Sequence, residues 1–241
     1  MKLDRNELLA AKNPLLDVLK IMLENRIESW STEGHIDEDY VEYKIRNGLF
    51  TYHVNKEKRP FSLSSQRFCA EQSWGPEGQS AYYDAIDLAL EVIGKGVDLE
   101  VQDEAGNTAL MLACAIGEPR LLKPLLAGTK NIHQENHTGE TALHLIARSG
   151  REDGAKLFLK KEYLPDVNRT DRAGWTALHH LVHSGDALAV FNLLQKKKID
   201  LQRVSTEEKY GFPVGTTALD IAKATSRQEI LPLLDTDKTT F

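Results

Sequence analysis

Apolar residues between positions 79 and 235 fall into short blocks of helical length, several of them bracketed by glycine, with Ser226 in place of the closing glycine in the last unit. Three of these blocks align directly: DEAGNTALMLACAIGEPRLLKPLLAG, NHTGETALHLIARSGREDGAKLFLK and DRAGWTALHHLVHSGDALAVFNLLQK. In each, a glycine (Gly106, Gly139, Gly174) stands two residues before a threonine, where a tight turn favours positive φ. A second glycine (Gly117, Gly150, Gly185) closes the apolar run, as expected just past a helix C-terminus. Paired apolar residues follow at Leu125–Leu126, Phe158–Leu159 and Leu193–Leu194, marking a second helix. Each block therefore predicts turn, short helix, turn, second helix and extended return. In the N-terminal quarter, Asn13 and Pro14 form a cap and first-turn pair before Leu15, Leu16, Val18, Leu19, Met22, Leu23, Ile27 and Trp30 at helical spacing. A further helix is expected over Asp37–Gly48, burying Tyr40, Val41 and Ile45, with an extended stretch in LFTYHVNKEKRPF. SAYYDAIDLALEVIGKG reads as the second helix of an earlier, unmarked unit whose first helix is expected near Ser62–Glu71.

The tripeptide Thr-Ala-Leu recurs at Thr108, Thr141, Thr176 and Thr217, in steps of 33, 35 and 41 residues. A unit this small cannot bury its own apolar face and must stack on its neighbours, which makes a solenoid. The period and the motifs TALHLIA and TALHHLV resemble the ankyrin repeat, whose pattern is T-P-L-H-x-A. Alanine replaces proline in all four units, and Met111 and Asp220 replace the histidine in the first and last. The resemblance implies an all-α stack of about four helix-turn-helix units over residues 79–241, the last a C-terminal cap. Residues 1–78 form a mainly helical segment expected to shield the first repeat. The long last step places extra residues in QRVSTEEKYGFPVG, Gln202–Gly215, expected as an enlarged surface loop.

Composition narrows the function classes. A net charge of −6 gives no electrostatic footprint for nucleic acid. Lys160–Lys161 and Lys196–Lys198 follow helical stretches, where cations favour the helix C-terminal dipole. Two cysteines, Cys69 and Cys114, are too few for a disulfide framework or a zinc site. No run reaches the length of a membrane span, and the charged N-terminus does not read as a signal peptide. A cytoplasmic, monomeric protein without a cofactor is expected.

Chemistry-bearing patterns are sparse. His179 and His183 lie four apart, a spacing that can chelate zinc, but no glutamate stands between them as a general base. In the ankyrin family the histidine at the His144 and His179 positions is structural, and the resemblance implies that role here. A Cys69, His53 and Asp39 constellation is the rival reading, in which the array targets or regulates an activity in residues 1–78. The favoured reading is a non-catalytic adaptor. Carried over from the family, its contact positions are the turn tips and the exposed side of each first helix. These give Glu104, Asn107, His137, Glu140, Arg148, Arg172, Trp175 and His183 as partner-binding residues. Trp175 is expected exposed beside Gly174, so that its loss would weaken partner binding by ~2 kcal/mol with folding intact. The alternative places Trp175 beneath the 202–215 insertion or on its neighbouring turn. A short ankyrin chain with a divergent N-terminus also resembles effectors that intracellular bacteria deliver into host cytosol, with a host protein as partner.

Overall fold

The computed structural model describes residues 5–31, 41–46, 49–54, 76–159, 166–195 and 199–234. Helices α1 (Arg5–Ala10) and α2 (Pro14–Ser31) lead into a hairpin of β1 (Val41–Arg46) and β2 (Leu49–Val54). Helix α3 (Pro76–Gly94) follows. Pairs then succeed one another: α4 (Ala109–Ile116) with α5 (Pro119–Gly128), α6 (Ala142–Ser149) with α7 (Glu152–Phe158), and α8 (Ala177–Ser184) with α9 (Ala187–Leu194). The last pair is α10 (Ala218–Ala224) and α11 (Leu231–Leu234). Helices α4, α6, α8 and α10 pack side by side as an inner layer, and α3, α5, α7 and α9 form the outer layer. The stack is all-α, as the repeat resemblance implies.

One device explains why the threonine recurs. Thr108, Thr141, Thr176 and Thr217 are extended N-caps of the four inner helices. Their own N–H groups donate to the residue three places on, whichever type stands there. The acceptors are Met111 Sδ at 3.5 Å, His144 Nδ1 at 3.1 Å, His179 Nδ1 at 3.1 Å and Asp220 Oδ2 at 3.0 Å. Methionine and aspartate thus retain the capping box, which needs only an acceptor at that reach. Because Nδ1 accepts, His144 donates through Nε2, to the Arg169 carbonyl 2.9 Å away in the next linker. The imidazole ties one repeat to its neighbour.

Successive turns are also tied through their backbones. His137 N–H donates to the Ala105 carbonyl at 2.9 Å, Arg172 to Thr138 at 3.1 Å, and Thr206 to Ala173 at 2.8 Å. Gly106, Gly139 and Gly174 sit beside these bonds with φ of 81°, 74° and 77°. A Cβ added at Gly174 would lie 2.6 Å from Thr206 N, whereas one at Gly215 (φ 86°) would meet nothing within 4 Å. Gly174→Ala should therefore cost more than the ~1–2 kcal/mol of left-handed strain that Gly215→Ala also carries. Urea unfolding of the two variants measures the difference, and equal losses would contradict the close approach.

Two expectations at the N-terminal end are corrected. Val41–Arg46 is a strand, not part of a helix, pairing antiparallel with β2 in the register Val41↔Val54 to Arg46↔Leu49. The physical reason lies in the pattern. VEYKIR alternates apolar and polar residues strictly, and Asn47-Gly48 is the strongest short hairpin signal. Secondly, the inner-layer position before α4 is filled by α2, which packs on both α4 and α3. Leu15, Val18, Leu19 and Met22 face this contact and are buried with Ala85, Ile86 and Ala89 of α3. Helix α2 thus serves as first helix of the unmarked unit. The segment Ser62–Glu71, expected in that place, lies outside the described residues, as do Asp37, Asp39, Cys69 and both lysine clusters.

Candidate functional site

The structure divides the expected contact residues into two sets. Glu104, His137 and Arg172 are exposed at successive turn tips. Asn107, Glu140 and Trp175 are buried, at 5%, 2% and 0% relative exposure, while Arg148 and His183 are half-buried. The exposed placement of Trp175 is thereby overturned, and the alternative beneath the insertion is what the structure shows. Asn107 is drawn inward because its side-chain carbonyl accepts from Asn136 Nδ2 at 3.0 Å, linking two turns. Glu140 is held by Arg148 Nη1 at 3.1 Å and Thr138 Oγ1 at 3.1 Å.

What buries Trp175 is the strap formed by residues 206–214. Its ends are fixed by Thr206 and Glu207 N–H donating to the Ala173 carbonyl and by Gly215 N–H donating to Ser205. At its apex, Lys209 and Phe212 exchange backbone hydrogen bonds of 3.1 and 2.9 Å. Tyr210 and Gly211 between them have φ of 54° and 79°, as a type I′ turn requires. The apex folds onto α8 and the turn ahead of it. The Tyr210 ring stacks on His183 (4.8 Å, 11°) and meets Trp175 edge-on at 5.1 Å, while Phe212 lies 6.0 Å from Trp175. Lys209 Nζ bonds Asp171 Oδ2 and lies 3.8 Å from Glu140 Oε1 and 5.7 Å from the Trp175 ring centre.

Asp171 organises the receiving surface. Its Oδ1 accepts from Ala173 and Trp175 N–H, both at 2.9 Å, and so sets the turn. Its Oδ2 meets Lys209 and, at 3.2 Å, His180 Nε2. Asp103 and Asn136 set the two preceding turns in the same way, and the second oxygen of Asp103 faces the Lys20 ammonium at 3.9 Å. Burial alone would raise the Asp171 pKa, but the His180 hydrogen bond and the Lys209 charge hold it well below the usual carboxylate range. For Glu140, burial is likewise outweighed, chiefly by Arg148, and the value falls to about 2. Glu140, Asp171 and His180 place one ligand atom each within 4.8 Å of one another, a donor set that could hold a cation. Arg148 and Lys209 already bring two positive charges to the two carboxylates. The ammonium of Lys209 takes the place beside Asp171 and Glu140 that such a cation would need.

Acid should therefore destabilise this region. Burial lowers the pKa of His180 from 6.5 to about 3 and that of His183 from 6.5 to about 4, so both are neutral when folded. An unfolded chain protonates them below 6.5, and their contribution is lost as pH falls from there towards the folded values. Glu140, lowered from 4.5 to about 2, adds a loss at lower pH in the same direction. The urea midpoint is expected to fall steadily between pH 6.5 and about 4. A midpoint unchanged over that window would show that these imidazoles are not buried neutral.

Sequence reasoning missed Lys209, Tyr210, Asp171 and His180. The signal was present as two aromatic residues and a cation, KYGF, inside an otherwise polar insertion. The enzymatic rival gains no geometry. His53 lies in β2 opposite Glu42, and Cys69 and Asp39 fall outside the described residues. Buried Cys114, its thiol pKa pushed up by burial, belongs to the core of α4. No described helix is long and apolar enough to cross a membrane.

Residues 78–171 match the family described as ankyrin repeats in three copies. That stretch of the stack is built of ankyrin repeats. Among curated proteins it is similar to neurogenic locus notch homolog protein 1 of Homo sapiens and of Mus musculus, each 35% identical over 165 residues. The same-named protein of Danio rerio is 35% identical over 166 residues. Each match covers 58% of this chain but 6% of the relative. Ankyrin repeats imply a protein–protein interaction module.

Proposed function

We propose that the chain is a non-catalytic adaptor that binds a partner protein across its turn tips and the adjoining inner-helix surface. The observation that carries this reading is the row of exposed tip residues, Glu104, His137 and Arg172, on turns joined by backbone hydrogen bonds. Rigid spacing of unlike side chains offers specificity without an ordering cost on binding. The side chains at these three positions project into solvent, so their identities are free to serve recognition. A photo-crosslinking residue placed at position 137 or 172 in cells should capture one discrete partner. The same residue at Asp153, exposed on outer helix α7, should not. Capture from Asp153 alone would overturn the assignment of this face.

A further inference from the structure

The strap is an insertion, yet the surface beneath it is built from residues of the regular repeats. Asp171 is fixed by its own turn, Glu140 by Arg148, and Trp175 by its place before the Thr176 cap. Together with His183 they present two carboxylates beside an indole and an imidazole. Such a surface recognises an ammonium group followed by an aromatic ring, by charge pairing, cation–π contact and stacking. Lys209 and Tyr210 supply both groups. The backbone bonds at the apex run between Lys209 and Phe212 themselves, so the apex meets the stack through side chains. The Trp175 Nε1–H donor and the His180 Nδ1 atom are also buried without a hydrogen-bond partner.

We infer that this face is a receptor for a peptide segment carrying lysine followed by an aromatic residue, and that the strap is a tethered occupant which a partner's segment displaces. The inference rests on the adaptor reading and names both its partner chemistry and its regulation. The strap competes as an intramolecular ligand at an effective concentration of about millimolar. A partner must therefore exceed that competition before the face opens.

The test uses the full chain and a labelled peptide copy of the strap, TEEKYGFPV, followed by fluorescence anisotropy. In one variant Lys209, Tyr210 and Phe212 are all replaced by serine, leaving the strap's ends in place. In a second, Lys209→Ala alone removes the ammonium. The peptide should bind each variant at least about tenfold more tightly than it binds the unaltered protein. A peptide with alanine in place of its lysine should bind none of them. Equal binding to all three proteins, or binding to none, would overturn the inference. So would failure of both variants to fold, since a displaceable strap cannot be required for the fold. Tip crosslinks with no peptide binding would sink the receptor and leave the adaptor reading standing; the reverse pattern would do the opposite.

Discussion

Replacing Trp175 by alanine is expected to lower the unfolding free energy by about 3–5 kcal/mol, the cost of truncating a large, fully buried ring. Trp175 has no exposed surface and meets His179, His180, His183, Tyr210 and Phe212 within 6.0 Å between ring centres. Its removal opens a cavity between the strap and α8, and the strap cannot collapse into it. Both strap ends are tied at fixed backbone positions. Trp175→Phe keeps much of the contact and should lose less than half as much. Urea unfolding followed by circular dichroism separates the cases. A loss below about 1 kcal/mol for alanine, typical of surface sites, would mean that the indole is not enclosed.

Asp171→Ala should be at least as severe, and its comparison with Asp171→Asn separates two roles. Asparagine retains an oxygen for the Ala173 and Trp175 N–H groups, as Asn136 does for Thr138 and Glu140 one repeat earlier. It lacks the charge that faces Lys209. Breaking one side of a buried ion pair costs about 3–5 kcal/mol, and Asp171→Asn is expected near the lower end. The Lys209 side chain, 19% exposed, can move partly into water. Alanine loses two turn hydrogen bonds as well, adding about 1 kcal/mol for each. Adding Lys209→Met to Asp171→Asn should restore part of the loss, because no uncompensated ammonium remains. Strict additivity of the two substitutions in a double-mutant cycle would refute the coupling.

The repeat bodies were legible because their geometry depends on local residues: a glycine for positive φ, a threonine cap, and apolar positions at helical spacing. Even the departures at Met111 and Asp220 obey that local chemistry, since each offers an acceptor to the cap. Exposure was not legible. Trp175 occupies a turn position that family resemblance leaves open to solvent, and only a segment some 35 residues later covers it (Tyr210 lies 35 positions on). Nothing in the local pattern reports such a contact. The burial of Glu140 was missed for the same reason, since it faces Arg148 and Lys209 of the strap. The hairpin at Val41–Val54 shows a different failure. Its alternation was read with a helical period although Asn47-Gly48 marked a strand turn.

The place of α2 in the inner layer has a practical consequence for the stack's leading edge. Its outer partner α3 begins only at Pro76, whereas α4 and α5 are separated by two residues. Joining partners across so long an excursion costs about 2–3 kcal/mol more chain entropy than a tight connection does. That first hairpin is therefore a non-local assembly. A fragment trimmed to the recognisable repeats from residue 78 would discard Leu15, Val18, Leu19 and Met22 and leave the apolar flank of α4 bare to water. Such a truncation would be sticky in solution, and the workable boundary for an expressed fragment lies ahead of Asn13, more than sixty residues upstream of the first match.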